Sequence, residues 1–289
     1  MTVDARTLQS PQIGDVFGPK EIHLDDTVVR DYVAATGDDT FWAHQERMRR
    51  DFGSLICPPT ILDRELGTRL AALRYQNVYA LHAKQSFHFK QPLLQGSTYF
   101  IDGVLTNIYE RNGIKYFTIT ATATSSAGEK VVTSEYTRAF EFPNSRHPAK
   151  TTEPLTLSSF LESRDPSSGN TILRGSKQHL AQSLMNLYSG PGANIHTDMD
   201  AAAIRGHRVP IVQGLMALSI ECRVFRDIHG AAWYTSGCIA TRFIRPIRAN
   251  SVLCAWERVN SSEQTSSSYS GGVFDEDGFA VTISEVSVS

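Results

Sequence analysis

The feature that most restricts this 289-residue chain is an internal repeat. Thr36-Gly37 aligns on Ser189-Gly190, and Gly53 on Gly206, both at an offset of 153. Further along, FHFKQPLLQGS aligns on TRFIRPIRANS, with Phe89 on Phe243, Pro92 on Pro246 and Ser97 on Ser251, at 154. Gly128 falls on Gly278 at 150. Landmarks that keep their spacing across two halves of similar length point to a duplicated unit, and two copies are too few for a solenoid.

Each copy must then bury its own core, and the order of patterns says how. In the first half DDTVVRDYVAATG reads as a helix, with Asp25 or Asp26 near its start, Val28, Val29, Tyr32 and Val33 on one face, and Gly37 ending it. Asp38 and Asp39 follow, then a loop with Phe41 and Trp42 and a charged helix around HQERMRRDFG. The step SLICPPT leads into a long helical run, ILDRELGTRLAALR. From about Val78 the period becomes two. ALHAKQSFHFK, TYFIDGVLTNIYER, KYFTITATATSS and KVVTSEYTRAFEF read as strands, separated by turns at Gln95-Gly96, Asn112-Gly113 and Ala127-Gly128. Helices followed by antiparallel strands imply an α+β fold with a central helix on a curved sheet. Two copies side by side form one continuous sheet. The expected division is 1–142, a Pro/Ser/Thr-rich linker at 143–170, and 171–289.

Composition narrows the function classes. Apolar residues make up 41% and charged residues 20%, as in a soluble globular protein. A net charge of −2 gives no general attraction to nucleic acid or anionic membrane. Cys57, Cys222, Cys238 and Cys254 form no CxxC pair and read as buried thiols in a reducing compartment. There is no hydrophobic signal core in MTVDARTLQSPQIGD, no targeting tripeptide in SEVSVS, and no run near ~18 apolar residues. The expectation is a cytoplasmic protein. Nucleotide loops, GxSxG elbows and metal-ligand spacings are missing from the sequence.

The chemistry concentrates between Leu184 and Leu218. There the end of a helix runs through Ser-Gly-Pro-Gly to Asn194 and His196, then a second helix (DMDAAAIRG), the step VPIV, and Gln213-Gly214 opening an apolar helix. An imidazole moves protons near neutral pH, and free N–H groups at a helix start bind developing negative charge. A histidine in such a loop is equally a capping or surface residue. Asp198 reads as the cap of the DMDAAAIRG helix.

This stretch resembles the signature of the MaoC-like, R-specific enoyl-thioester hydratase/dehydratase family, written S/T-G-D-x-N-P-x-H and followed by a helix, a glycine and H-G-x. Ser189, Gly190, His196, Asp198, Gly206, Pro210 and Gly214 fall in register with it. The family's aspartate falls on Pro191, its asparagine on Ala193 with Asn194 one place late, and its second histidine on Gln213. The resemblance spans essentially the whole chain and implies a double hotdog, its first half holding substrate. It also implies hydration or dehydration of a thioester on coenzyme A or a carrier protein's phosphopantetheine arm, without further cofactor, by an expected homodimer. His196 would carry the proton and Gly214 offer its N–H to the thioester oxygen. Gln213 would hydrogen-bond but cannot titrate.

The first half is complementary, with Asp38 at the position of Pro191 and Ala43 at that of His196. Asp39 and His44 have the family's spacing, one residue out of register. Three readings stay open. His196 acts alone or with Asn194; the active pair has moved to Asp38 or Asp39 with His44; or the site serves binding or an isomerase or cyclase reaction of secondary metabolism, or the chain is a non-catalytic partner that completes another hotdog subunit's pocket. Capping is the plain alternative for the two aspartates. Phe41, Trp42, Tyr75, Tyr79 and Tyr188 are candidates to line an acyl pocket, or core filler. Arg242, Arg245 and Arg248 are candidates for carrier phosphates, or a solvated basic edge.

Overall fold

The computed structural model of the chain describes residues 11–67, 69, 71, 80–140, 153–163, 171–262 and 266–289. The first half contributes the strands β1 (Val16–His23), β2 (Ala80–Phe89), β3 (Thr98–Arg111), β4 (Ile114–Ser125) and β5 (Lys130–Phe140). The second contributes β6 (Ile172–Arg174), β7 (Gln178–His179), β8 (Cys238–Phe243), β9 (Val252–Ser262), β10 (Ser267–Phe274) and β11 (Thr282–Val288). β2 to β5 lie where the period-two pattern puts them. β1 carries a proline and a register shift against β3, which hides its alternation.

All join one antiparallel sheet in the order β1-β3-β4-β5-β2-β8-β11-β10-β9-β6, with β7 beside β9. The order reads the same from either end when each strand is replaced by its repeat mate. The halves meet at β2 and β8, where Ser86 pairs with Ala240. Those two positions differ by 154, the offset that relates Phe89 to Phe243. Ser86 is thus hydrogen-bonded alongside its own counterpart, and the pseudo-two-fold axis passes there. Backbone detail repeats too. Cys57 N donates to Leu93 O at 2.7 Å, and Val212 N to Ile247 O at 2.8 Å.

α1 (Asp26–Thr36) starts where Asp25 accepts from Val28 N at 2.9 Å, and ends at Gly37 in the left-handed conformation. α2 (Phe41–Phe52) follows. Phe41 and Trp42 form its first turn, not the loop expected, and the helix sends them apart. Phe41 is 1% exposed in the core, whereas Trp42 is 41% exposed. Within the stretch expected as linker, α3 (Leu157–Glu162) is a short capped helix whose Phe160 packs on Phe274.

The second half continues with α4 (Gln182–Ser189), α5 (Met199–Ile204), α6 (Gly214–His229) and α7 (Ala231–Ser236). α6 is the buried central helix, on β9, β10 and β11, and α7 packs on β2 and β11. Asp198 caps α5, accepting from Ala201 N at 2.8 Å.

One expectation is met only in part. Residues 59–67 are a chain of turns, and the helical residues described in this run, 69 and 71, come after them. Ile61 N donates to Pro58 O, Leu66 N to Leu62 O and Arg69 N to Arg64 O, so bonds spanning three, four and five residues are mixed along it. Pro58 and Pro59 lack N–H groups, and at Gly67 an added Cβ would lie 3.0 Å from the Tyr136 ring.

Candidate active site

His196 lies in the loop between α4 and α5. Gly190 opens that loop with φ 76° and ψ −171°, a conformation nearly reserved for glycine. Asn194 ties it together. Its Oδ1 accepts from His196 N at 2.9 Å, its own N–H donates to Thr197 Oγ1 at 3.0 Å, and its carbonyl accepts from Thr197 and Asp198. Asn194 is therefore the brace of the loop and not a partner of the imidazole, correcting the expectation of a His196–Asn194 pair.

The imidazole is oriented by Nδ1, 2.7 Å from Ile211 O. A carbonyl only accepts, so Nδ1 bears the hydrogen and Nε2 the lone pair. Burial lowers the pKa of His196, opposed by this hydrogen bond and aided by the charges of Arg64 and His207. The ring is held neutral, with a basic nitrogen. Ile211 N also donates to Ile195 O at 3.1 Å, which fastens the loop to the segment entering α6.

Gly214 is the first residue of α6, so its N–H has no acceptor within the helix. A Cβ here would stand 2.7 Å from the Phe243 ring. The glycine is required by helix-on-sheet packing, whatever else its amide does. Gln213 donates through Nε2 to Ser189 Oγ, and its buried Oε1 has no partner among the described residues.

Tyr188 is buried and points across the seam between the halves. Its hydroxyl donates to Asp63 Oδ2 at 2.7 Å, and the Tyr32 hydroxyl lies 2.9 Å from the same oxygen. Tyr188 is therefore fixed to a carboxyl group rather than free to line an acyl pocket. Arg64, adjacent to Asp63 in the chain, donates to Tyr188 O and Ser189 O, and its guanidinium lies over the Tyr188 ring. Burial raises Asp63 to about 7, although hydrogen bonds from Tyr188 and Tyr32 and the charge and amide of Arg64 oppose it. No sequence motif singles out Asp63 or Arg64. The available signal is an acid–base dipeptide set among Ile61, Leu62 and Leu66, a charge on an apolar face.

The first-half candidates are used elsewhere. Asp38 is buried and ion-paired with Arg226, with Arg223 Nε 3.8 Å away and Thr40 Oγ1 donating at 3.0 Å. His44 Nε2 lies 3.2 Å from Asp227, and Asp39 is exposed. The expected pairing of either aspartate with His44 is not formed, because α6 supplies each of Asp38 and His44 with another partner. Phe41 is core and Trp42 lies under Arg30, 5.5 Å from its ring centroid. Neither is brought to His196. Arg245 is turned onto the Phe279 ring at 4.4 Å and toward Asp275 at 3.9 Å. Tyr75 and Tyr79 lie outside the described residues. Two grooves of about 650 and 700 Å³ cross the β2–β8 join, lined by Ser86, Glu135, Ala240 and Glu285, and His196 is in neither.

The sheet, its pseudo-two-fold and a histidine loop beside a buried helix start define a double hotdog protein. Comparison with known proteins agrees. Residues 11–134 match the family described as FAS1-like, dehydratase domain region. A solved MaoC-like dehydratase superposes with a TM-score of 0.75 at 17% identity, covering 98% of this chain and 99% of that one. The peroxisomal multifunctional enzyme type 2 of Drosophila melanogaster gives 0.65 at 16%, covering 96% of this chain and 48% of the enzyme. A Mycobacterium tuberculosis protein described as having a double hotdog fold gives 0.65 at 11%, covering 97% of each chain. At these identities the structural likeness establishes the fold. No sequence among the curated proteins matches. Among the described residues no helix is long and apolar enough to cross a membrane.

Proposed function

We propose that the chain reversibly hydrates a 2-enoyl thioester to the 3-hydroxyacyl thioester, the acyl group being carried by coenzyme A or a carrier-protein phosphopantetheine arm. The observation that carries this reading is the orientation of His196, whose Nδ1 is spent on Ile211 O while Nε2 keeps its lone pair. A half-buried neutral imidazole of that tautomer takes a proton from water, and the Gly214 N–H is a donor for the thioester oxygen as charge builds there. The thioester carrier is the only other group the reaction needs.

The test is hydration of crotonyl-CoA and longer enoyl-CoAs, followed by loss of the enoyl absorbance. Wild-type turnover that drops at least ~100-fold in His196→Ala supports the reading. Turnover that survives the substitution removes His196 from it.

A further inference from the structure

At the β2–β8 join only one face of the sheet is buried. Along β2, Gln85, Phe87 and Phe89 are buried, and Lys84, Ser86 and His88 alternate with them on the outward face. Along β8, Ile239 and Thr241 are buried while Ala240 and Arg242 are exposed. The two grooves that cross the join share outward residues, and they are mates under the pseudo-two-fold. Residues 86–88 of one lining correspond, at the offset of 154, to residues 240–242 of the other. Residues 133–135 correspond in the same way to 283–285, at 150. Charge on this face is sorted into rows. Glu135, Ser86, Ala240 and Glu285 are neighbours across β5, β2, β8 and β11 and form an acidic row. Two residues along the strands, about 7 Å away, Lys84 pairs with Arg242 at the centre of a basic row. These four charged side chains are exposed. Lys84 lies 5.9 Å from the Tyr109 ring centroid, and Glu135, Arg242 and Glu285 make no ion pair among the described residues.

We propose that this outward face is the contact with a second copy of the chain, held by its two rows of opposite charge. A two-fold axis that runs across the strands, between the rows, turns the strands end to end. It sets each copy's basic row over the other's acidic row, Lys84 against Glu135 and Arg242 against Glu285 of the second copy. An axis along the strands would instead bring the Lys84 and Arg242 side chains of both copies together, so charge selects the first arrangement. Around the rows the face carries the small side chains Ser86, Thr133, Thr137, Cys238 and Ala240. Side chains of that size let two sheets approach to about 10 Å, within reach of the long charged groups. The groove linings run over eight neighbouring strands, from β3 to β9 in sheet order. At ~4.8 Å a strand that face is about 34 Å wide, a breadth suited to the ~800 Å² per partner of a stable association. His196 lies in neither groove, so the contact is independent of the hydration reading.

The test is the mass of the full chain at sedimentation equilibrium, for wild type and two charge-reversed double variants. One carries Glu135→Lys with Glu285→Lys, the other Lys84→Glu with Arg242→Glu. The expected wild-type mass is twice the 32.0 kDa of one chain. Each double variant puts like charges face to face and should weaken self-association ~100-fold. An equimolar mixture of the two, one face basic and the other acidic, should recover the doubled mass. Zero-length coupling of amines to carboxyls gives a readout that needs no variant to fold. In wild type mixed from ¹⁴N- and ¹⁵N-labelled chains, coupled peptides bearing Lys84 and Glu135 should join light to heavy. A wild type that stays at 32.0 kDa overturns the proposal. Double variants that each keep the doubled mass overturn it too, because the contact then lies on another face. A mixture that stays monomeric, or Lys84–Glu135 couplings of one label only, overturns the pairing of the rows.

Discussion

Arg64 and Arg223 make the same contact in opposite directions across the seam. Arg64, from the first half, donates to Tyr188 O and Ser189 O at the end of α4. Arg223, from α6, donates to Thr36 O and to Gly37 O at 3.1 Å at the end of α1. Each half thus satisfies the last carbonyls of the other half's helix with a guanidinium. The two contacts differ in the segment that the capped helix leads into: α4 runs into the His196 loop, and α1 into Asp38.

That difference is testable. Arg64→Met and Arg223→Met should each lower stability by about 1–3 kcal/mol, the cost of leaving buried carbonyls unpaired. On the hydration reading, only Arg64→Met should also lower kcat on crotonyl-CoA, because it alone frees the root of the His196 loop. Equal kcat in the two folded variants would show that the cap does not orient His196.

The Asp38–Arg226 pair yields the opposite pattern. Arg226 is 2% exposed, and removing Asp38 leaves this buried charge with the part-exposed Asp227, 2.9 Å from its Nε, as its carboxylate. Asp38→Ala should therefore cost ~3–5 kcal/mol in chemical denaturation, while the folded fraction keeps its turnover. His44→Ala, which removes a half-exposed pair with Asp227, should change stability by no more than ~1 kcal/mol and leave activity alone. Loss of turnover in folded His44→Ala would return the chemistry to the first half.

A buried carboxyl pair makes stability depend on pH. Glu221 and Glu257 are fully buried against one another, with Ser284 donating to Glu221 Oε2 at 2.8 Å. Burial raises Glu221 from about 4.5 to about 7, and burial with the Glu221 charge raises Glu257 further. A raised carboxyl favours the protonated fold. Its stabilisation is present below the unfolded value near 4.5 and is lost as pH climbs through about 7. Asp63 acts in the same sense. Urea unfolding should show stability falling across that window. Glu221→Gln should flatten the fall and gain on the order of 2 kcal/mol at about pH 8. For His196 the sign is reversed, since its lowered pKa favours the fold at higher pH and that gain is lost on acidification.

Much of the fold was legible because duplication is a long-range signal. Thr36-Gly37 and Ser189-Gly190 end equivalent helices, and the offset at Phe89 and Phe243 predicts which residues meet on the two-fold axis. The strands β2 to β5 followed from alternation alone. Of the candidate site, the sequence offered His196 and the helix start at Gly214. Asp63 was hidden in a stretch that reads as helix, and its meaning depends on Tyr188, 125 positions away. Asn194 looked like a partner for His196 because the loop's backbone bonds cannot be read from the sequence. Asp39 and His44 were drawn together by their spacing, but Asp39 is exposed and α6 gives His44 the partner Asp227.

Gly214 separates packing from chemistry. A methyl group there would stand 2.7 Å from Phe243 Cδ1 and 2.8 Å from Cε1, far inside contact distance, so the ring must move. Phe243 also touches His82, with ring centroids 4.5 Å apart, and burial drives that imidazole down to about 3, so the neighbourhood is dense and yields little. Gly214→Ala should cost about 1–3 kcal/mol through overpacking. Pairing it with Phe243→Leu makes room for the methyl and should recover part of that loss, measured as a shift in the urea midpoint. The amide N–H survives in both variants. If its only task is to meet the thioester oxygen, the double variant should regain kcat along with stability. A double variant that recovers stability but not turnover would mean the glycine is also needed for the substrate carbonyl to approach the helix start.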